Sequence, residues 1–321
     1  MTIGHLGRVR QVVAVPPSVS ADHGIRRMYA LSHRPSWRGG SGESGGGAMP
    51  TENKLSTKID ENVPTAARMY DHYLGGKDNY AADRAACEEL DKVVPSTRRL
   101  ALNNRRFLQR AVRTIAEEYG IRQFLDHGSG LPTQDNVHQV AQRVDPQTHV
   151  VYVDNDPMVL VHGRALLQQD ERTAVIHADM RSTDEIFAHP DTQRLIDFSR
   201  PVAVLFNSVF HCIPDSDTDG PLAVVRRVRE RLVPGSIMLM CQLVSDDAEV
   251  RAFVTDFMAQ ATQGHWGRVR EEKDVAEWFE GGLEILEPGL VEVSTWRPDN
   301  EVAPRQLTQE WIEFGGIGIV R

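Results

Sequence analysis

Apolar and polar positions follow two different periods along this chain, and the two periods take turns from about residue 120 onward. Short apolar runs of strand length lie at 123–127, 149–154, 173–179, 201–206 (with an extension to 213) and 236–244. Runs with apolar residues at helical spacing separate them, at 136–143, 157–169, 182–198 and 221–232. Continuous apolar strands that alternate with helices predict a parallel sheet that is covered on both faces.

The last part of the chain breaks this alternation. After helical patterns near 246–260 and 272–279, two strand patterns follow at 290–296 and 314–320. Pro298, Asn300 and Pro304 mark the segment between them as a loop, so we expect the two strands to form an antiparallel hairpin. The pattern predicts an α/β protein with a Rossmann-like class I methyltransferase fold, whose mostly parallel, seven-stranded sheet ends in a C-terminal antiparallel hairpin. A two-lobed dehydrogenase would not need that hairpin.

Three helical patterns precede the first strand. A short helix begins near residues 62–64 and stops at Gly75 and Gly76, and others follow at 81–93 and 96–119. Asn104 interrupts the apolar stripe of the third, and a buried amide needs partners, either backbone groups or a ligand. Helices placed here are expected to serve as a lid or as ordinary packing helices.

Residues 1–50 differ in composition from the rest. They are rich in arginine and end in a glycine-rich run, a composition that does not bury enough apolar surface to order itself. We expect a disordered tail, or a mis-assigned start that precedes a true initiator at Met49. The predicted organisation is therefore a tail (1–50), an N-terminal helical lid region (51–120) and a cofactor-binding core (121–321).

Composition narrows the class of protein. The formal net charge of −9 argues against a general nucleic-acid or anionic-membrane binder, and no apolar run approaches the roughly 20 residues of a membrane-spanning helix. Cys87, Cys212 and Cys241 are far apart, and neither the cysteines nor the histidines follow a metal-ligand spacing. We expect a cytoplasmic protein with reduced thiols and no metal site; the oligomeric state stays open.

The turn after the first core strand is the candidate binding element. Residues 123–133 read QFLDHGSGLPT, so an apolar strand runs into a turn with Gly128 and Gly130, and a helix follows. Glycines there allow a ligand to approach the backbone, and the helix start offers unpaired N–H groups. Either a dinucleotide fingerprint or the cofactor turn of an enzyme that uses S-adenosylmethionine (SAM) fits this spacing.

Acidic residues end three consecutive predicted strands. Asp154 is placed to accept both ribose hydroxyls of an adenosine. Asp179 is placed to accept from the adenine amino group, with Met180 packed against the ring. Asp126 could reach the amino group of a methionine moiety or brace the turn. The pattern fits NAD as well as SAM up to Asp154, whereas Asp179 and the C-terminal hairpin favour SAM.

Several motifs resemble those of a bacterial S-adenosyl methyltransferase family. They are RMYDHYLGGKDNYAADR at 68–84, NRRFL at 104–108, the GSGLPT turn with NVH at 136–138, YVDNDP at 152–157, HCIPD at 211–215, WRPD at 296–299 and FGG at 314–316. The resemblance covers about 60–321 and implies a class I SAM-binding fold and methyltransferase activity with SAM as the cofactor. Two positions depart from it: His127 replaces an aliphatic residue, and residues 207–210 replace a more aliphatic run.

Pattern and resemblance together predict a set of cofactor-binding residues. They are Tyr70, Asn104, Asp126, Gly128, Ser129, Gly130, Asp154, Asn155, Asp179, Met180 and Asn207.

The chemistry expected of such an enzyme places modest demands on the protein. Methyl transfer from a sulfonium is an in-line displacement, to which the protein contributes mainly by holding donor and acceptor together. A general base is needed only if the acceptor loses a proton. His211 and Tyr70 are the catalytic candidates, with His72 beside them. The acceptor is expected to be a small molecule of unknown identity. A non-catalytic, SAM-binding regulatory protein and an NAD-linked oxidoreductase are the alternatives.

Overall fold

A mixed β-sheet is the centre of the molecule. The computed structural model describes residues 58–133, 135–166, 171–299 and 310–321, and all of them belong to a unit that spans 48–321. The strands are β1 (Gln123–His127), β2 (His149–Asp154), β3 (Thr173–His177), β4 (Ala203–Asn207), β5 (Ile237–Val244), β6 (Leu283–Ile285), β7 (Val291–Glu292) and β8 (Ile312–Val320).

Helices precede the sheet and connect its strands. They are α1 (Ala66–Leu74), α2 (Ala81–Asp91), α3 (Thr97–Glu118), α4 (Val137–Val144), α5 (Pro157–Leu166), α6 (Thr183–Ala188), α7 (Pro190–Leu195), α8 (Pro221–Arg229), α9 (Ala248–Ala261) and α10 (Glu272–Trp278). None of the helices in the described ranges combines the length and the apolarity that crossing a bilayer requires.

The strand order is β3-β2-β1-β4-β5-β8-β6, and β7 also pairs with β8. β1 to β5 are parallel, whereas β8 is antiparallel to β5, β6 and β7. Asp126 is opposite Tyr152 on β2 and Leu205 on β4, so the carboxyl ends of these three strands meet at one edge of the sheet. This confirms the predicted class I methyltransferase fold and places the predicted acids at the edge where α/β sheets bind ligands.

Apolar layers cover both faces of the sheet, as the continuous apolar strands predict. Phe206 and Phe210 belong to one layer, and Phe107 and Trp296 belong to the other. A third apolar cluster joins residues of α1, α2 and α3 to α9 and to the end of β5, with Trp266 among its members. The N-terminal helices are thus packed onto the end of the sheet that carries the candidate site.

The C-terminal hairpin is shorter and more interrupted than predicted. A strand was expected over 290–296, but only Val291–Glu292 pairs with β8, and a 3₁₀ turn follows at Val293–Thr295. The turn forms because the Glu292 side chain accepts a hydrogen bond from the Ser294 N–H, and the buried Arg110 guanidinium donates to the carbonyls of residues 293 and 296. The sequence pattern also missed β6, so the sheet has eight strands rather than seven.

Two further boundaries differ from the pattern. The single helix expected at 182–198 is split into α6 and α7, since Pro190 lacks an N–H and forces His189 into an extended conformation. The fourth strand does not extend to residue 213: it ends at Asn207, and Ser208 has a φ of +58°. The tail expected at 1–50 and residues 300–309 of the expected loop lie outside the described residues.

Candidate functional site

The turn after β1 leaves space beside its backbone. The N–H groups of Gly128 and Ser129 both donate to the Val153 carbonyl, at 2.7 and 3.2 Å. Gly128 and Gly130 each have a φ of +67°, in the left-handed region that favours glycine. A Cβ at Gly128 would lie 2.4 Å from the Val209 side chain, whereas a Cβ at Gly130 would meet no atom of the described residues within 4 Å. The protein therefore closes one side of the turn and leaves the other side open.

Asp154 is tied directly to this turn. One carboxylate oxygen accepts a hydrogen bond from the Gly130 N–H at 2.8 Å, and the other accepts from the Asp156 N–H at 2.9 Å. The side chain is buried, and burial raises the pKa of Asp154 to about 6. Each carboxylate oxygen has lone pairs for more than one donor, so both can also accept from a ligand.

Asp126 and Arg105 form the charged part of the site. Asp126 is only 4% exposed. Burial raises its pKa to about 7, the positive charge of Arg105 opposes that shift, and the negative charge of Asp154 adds to it. The Arg105 guanidinium also donates to the Asn136 side chain, 3.1 Å away, which accepts from the Thr133 N–H at 3.0 Å. Arg105 thus connects α3 to the loop that follows the glycines.

Arg105 is not among the site residues predicted from the sequence. The available signal was its place in the NRRFL motif, directly after Asn104, which is among them.

Three residues predicted from distant parts of the sequence meet beside β4. The Tyr70 hydroxyl donates to the Asn104 side-chain carbonyl at 2.8 Å, and the Asn207 amide donates to the same oxygen at 2.9 Å. The Asn104 amide in turn lies 3.3 Å from the Cys241 sulfur. Asn104 is thus satisfied by protein groups, which answers the question raised by its place on an apolar stripe. Burial raises the pKa of Tyr70 far above its usual range, so its hydroxyl remains protonated.

Next to this network lies a buried carboxyl group, Glu313, which is also absent from the residues predicted from the sequence. One of its oxygens accepts a hydrogen bond from the Ser208 hydroxyl, and the Ser208 N–H donates to the Cys241 carbonyl at 3.0 Å. Burial raises the pKa of Glu313 to about 8. The available signal was an acidic residue between the apolar residues Ile312 and Phe314 at the start of the last strand.

The remaining cofactor candidates lie beyond β3 and β2. The Asp179 carboxylate is paired with the Arg181 guanidinium at 2.6 Å. Burial acts to raise the pKa of Asp179, but the hydrogen bonds from Arg181 outweigh the effect of burial and hold this pKa below its usual range. Met180 lies beside the glycine turn, with its Cε 3.6 Å from the position of a Cβ on Gly128. Asn155 has an exposed side chain, and its carbonyl lies 3.0 Å from the His177 ring.

Two histidines singled out from the sequence are buried in aromatic surroundings. His211 packs on Trp266 with ring centroids 4.5 Å apart, and burial, helped by the positive charge of Arg270, lowers its pKa to about 3. His127 stacks on Phe206, also at 4.5 Å, and burial lowers its pKa to about 3. Both rings are therefore neutral at pH 7. His127 fills apolar space where the resemblance predicts an aliphatic residue.

The motif at 68–84 builds the cover of the site. Arg68 and Asp83 form a buried ion pair at 3.0 Å, and Asp83 also accepts from the N–H groups of Thr65 (3.1 Å) and Tyr80 (2.8 Å). Tyr80 packs against the small apolar cluster around Leu131, in the loop after the glycine turn. The first helix and the loop after it are thereby fixed next to the candidate cofactor turn.

The glycine pair of the same motif has a separate structural cause. The Asp71 carboxylate accepts from the Asp78 N–H at 2.9 Å and from the Asn79 amide at 2.8 Å. A Cβ at Gly76 would lie 1.9 Å from an Asp71 oxygen, so only glycine fits beside that carboxylate. The motif therefore encodes the conformation of the loop between α1 and α2.

These residues fit an adenosyl cofactor with an amino-acid tail. The space beside Gly130 can admit a ligand, the Asp154 carboxylate can accept further hydrogen bonds, and the Ser129 hydroxyl is buried without a partner among the described residues. Asp126 and Arg105 supply opposite charges for an amino and a carboxylate group. Within the described ranges, no group of acidic, histidine and cysteine side chains could hold a metal ion.

Comparisons with known proteins identify the family. The sequence model of a family described as S-adenosyl methyltransferase matches residues 52–321. A crystal structure from Thermobifida fusca YX, of a protein to which methyltransferase activity has been ascribed, is 43% identical, with a TM-score of 0.72 over 81% of this chain and 96% of that one. A DUF574 family protein from Streptomyces avermitilis MA-4680 is 35% identical, with a TM-score of 0.73 over 82% of this chain and 100% of that one. Among curated proteins, none matches the sequence.

The family model and both crystal structures thus cover most of the sequence. The chain belongs to the S-adenosyl methyltransferase family and is a SAM-dependent methyltransferase.

Proposed function

We propose that the protein transfers the methyl group of SAM to a small-molecule acceptor, with the cofactor lying along the carboxyl edge of β1, β2 and β3. The observation that carries this placement is the 2.8 Å hydrogen bond from the Gly130 N–H to Asp154, because it joins the glycine turn to the acid at the end of β2. In the proposal, Asp154 accepts the ribose hydroxyls, and the tail of the cofactor lies over Gly128, Ser129 and Gly130.

The two ends of the cofactor would meet different residues. At the methionine end, Asp126 would accept from the amino group and Arg105 would hold the carboxylate; their opposite charges and proximity support this assignment. At the adenine end, Met180 would pack against the ring beside the turn, and Asp179 would accept from the adenine amino group while it remains paired with Arg181. Asn155 would contribute through its backbone at the end of β2.

The chain's part in the reaction is positioning. When bound, SAM supplies a methyl group already activated on a sulfonium sulfur. Tyr70, Asn104 and Asn207 form a hydrogen-bonded network beside β4 that fixes the wall of the site. Holding two reactants in a near-attack arrangement is worth up to roughly 7–11 kcal/mol.

Neither of the predicted base candidates has a suitable pKa. Tyr70 stays protonated at physiological pH, so it can donate a hydrogen bond but cannot take a proton. His211 is neutral with a pKa of about 3, and such a weak base removes protons poorly. We assign both residues to the wall of the site rather than to proton transfer.

A small acceptor and a cytoplasmic location complete the proposal. The cover formed by the 68–84 motif packs next to the cofactor turn, and the net charge of −9 disfavours nucleic acid as the acceptor. We assign α1, α2 and α3 to a lid that admits the acceptor. Cys87, Cys212 and Cys241 are all unpaired, as expected in a reducing compartment.

Calorimetric titration with SAM, S-adenosylhomocysteine (SAH) and NAD tests the cofactor. We expect both adenosyl ligands to bind and NAD to show no binding; binding of NAD alone would contradict the proposal. Incubation with methyl-labelled SAM and a small-molecule extract of the source organism tests catalysis. We expect label to appear in a low-molecular-weight product, whereas persistent failure to label any acceptor would indicate a non-catalytic SAM-binding protein.

A further inference from the structure

Glu313 is a buried carboxyl group, and one of its oxygens lacks a hydrogen-bond partner among the described residues. It is the second residue of β8, opposite Leu243 of β5, and is only 2% exposed. Oε1 accepts from the Ser208 hydroxyl, but Oε2 has no hydrogen-bond partner within the described part of the chain. Leaving a buried carboxylate oxygen unsatisfied is costly, and a protein retains such a group where something else completes it.

Among the described residues, no positively charged group compensates Glu313. The Cys241 thiol is a hydrogen-bond partner of the carboxyl group, the Glu292 carboxylate repels its charge, and its charge acts in turn on the Tyr70 hydroxyl; none of these three groups is positively charged. Trp311, two residues earlier, belongs with Trp266 to the apolar cluster against which Tyr70 packs. The indole N–H groups of both tryptophans are buried without a partner in the described residues. Two tryptophans thus belong to the apolar cluster that contains the residue two positions before Glu313, and a donor from a ligand can satisfy the Oε2 atom.

Glu313 is also connected to the proposed cofactor turn. Its partner Ser208 has a φ of +58°, which turns the backbone sharply after β4. The preceding residue, Asn207, binds Asn104, and the following residue, Val209, closes the space beside Gly128. The carboxyl group is thus hydrogen-bonded to the short segment 207–209, which contacts the glycine turn. In the proposed site, an acceptor would approach the methyl group at this segment.

From this arrangement we infer that the acceptor is an amine with an aromatic or apolar body, and that Glu313 binds its nitrogen and receives the proton that it loses. The inference rests on the proposed function and names the substrate class of the same site. An ammonium group supplies both the missing donor and the missing positive charge, and it is attracted to the faces of indole rings.

The proposed step balances without any further reactant. One ammonium proton moves to Oε2 of Glu313, which leaves the nitrogen with a free electron pair. That pair forms the new carbon–nitrogen bond as the methyl–sulfur bond breaks, and the bonding electrons remain on sulfur. Glu313 afterwards releases its proton to water. A pKa of about 8, raised mainly by burial, is close enough to physiological pH for the group to take a proton and return it.

Two probes of the same shape test this inference. Protein saturated with SAH is titrated calorimetrically with benzylamine, which is cationic at pH 7.5, and with neutral benzyl alcohol. We expect benzylamine to bind at least tenfold more tightly to the wild type, and Glu313→Gln to abolish that preference. In the wild type, benzylamine binding should also release protons from the protonated fraction of Glu313. This release would appear as a dependence of the measured heat on the ionisation enthalpy of the buffer. Glu313→Gln should release no protons.

A matched control separates Glu313 from charge in general. Glu292 lies on the neighbouring strand, and its carboxylate is already bound to Ser294, so Glu292→Gln should keep the tenfold preference. Equal affinity of the wild type for amine and alcohol would overturn the inference whether or not the Glu313 variant folds. A preference for the amine that survives in Glu313→Gln would also overturn the inference. The same holds if Glu313→Gln loses affinity for SAM but not for SAH, because the carboxylate would then bind the sulfonium rather than an acceptor. Failure of the wild type to bind SAH would instead refute the proposed function.

Discussion

Replacing Asp154 by asparagine tests the ribose assignment with little change in shape. The substitution removes the charge and exchanges one acceptor oxygen for an N–H₂ donor, so either Gly130 or Asp156 then faces a donor instead of an acceptor. One proposed ribose hydrogen bond to a charged group is also lost, which is worth about 1.5–3 kcal/mol. We therefore expect the Kd for SAH to rise roughly 10- to 150-fold, at about 1.4 kcal/mol for each factor of ten.

Isothermal titration calorimetry with SAH measures this effect. Asp145→Asn is the matched control, since Asp145 precedes β2 at the opposite edge of the sheet and pairs with Arg122 at 2.7 Å; its Kd should equal that of the wild type. Burial raises the pKa of Asp126 to about 7 and that of Asp154 to about 6, so SAH affinity in the wild type should fall first below about pH 7 and more steeply below about pH 6. Asp154→Asn should keep the first decrease and lose the second. An unchanged Kd in folded Asp154→Asn would refute the reasoning.

Further substitutions test the glycine turn, the cover and the buried acid. Gly130→Ala should cost only about 1–2 kcal/mol of stability, because its backbone is left-handed, yet it should weaken SAH binding at least tenfold because the added methyl group enters the open space. Gly128→Ala should lower the melting temperature more than Gly130→Ala does, because its Cβ would clash with Val209. A larger loss of melting temperature in Gly130→Ala than in Gly128→Ala would contradict the described turn. Asp83→Asn should destabilise the protein by about 3–5 kcal/mol in chemical denaturation, because Arg68 loses its buried partner; a loss under 1 kcal/mol would contradict that role. Asp126→Asn should make the free protein more stable at pH 8 by up to about 4 kcal/mol, with no gain at pH 4. The folded state raises the pKa of Asp126 from 3.8 to about 7, so the carboxyl group contributes full stability only below pH 3.8, and this contribution is lost as the pH rises through 7. Equal gains in stability at pH 4 and pH 8 would contradict this reasoning.

The sheet could be predicted from the sequence because its strands are apolar on both faces. Runs such as 149–154 and 236–244 have few other stable arrangements in a chain of alternating strands and helices. The C-terminal edge of the sheet could not be predicted in the same way, because the turn at Val293–Thr295 depends on Arg110. This arginine lies more than 180 residues earlier in the chain and reaches the carbonyls of residues 293 and 296 only after folding. The split at Pro190 was readable from local chemistry and was missed because the apolar spacing continues through the proline.

The site was predictable to the extent that it follows from strand ends. Asp126 and Asp154 were placed together because parallel strands share a carboxyl edge. Glu313 arrives from the antiparallel last strand, whose register against β5 no local pattern specifies, so its contact with Ser208 could not be foreseen. The motif at 68–84 indicated the family, whereas its physical role, an ion pair between Arg68 and Asp83 that fixes the cover, is visible only in the structure.

A crystal structure of the protein with SAH bound tests the central claim most directly. The account predicts both ribose hydroxyls within hydrogen-bond distance of the Asp154 carboxylate, the amino-acid tail over Gly128 and Gly130, and the sulfur facing the segment at Asn207 and Ser208. An adenosine bound elsewhere, or one at this edge whose ribose makes no contact with Asp154, would contradict it.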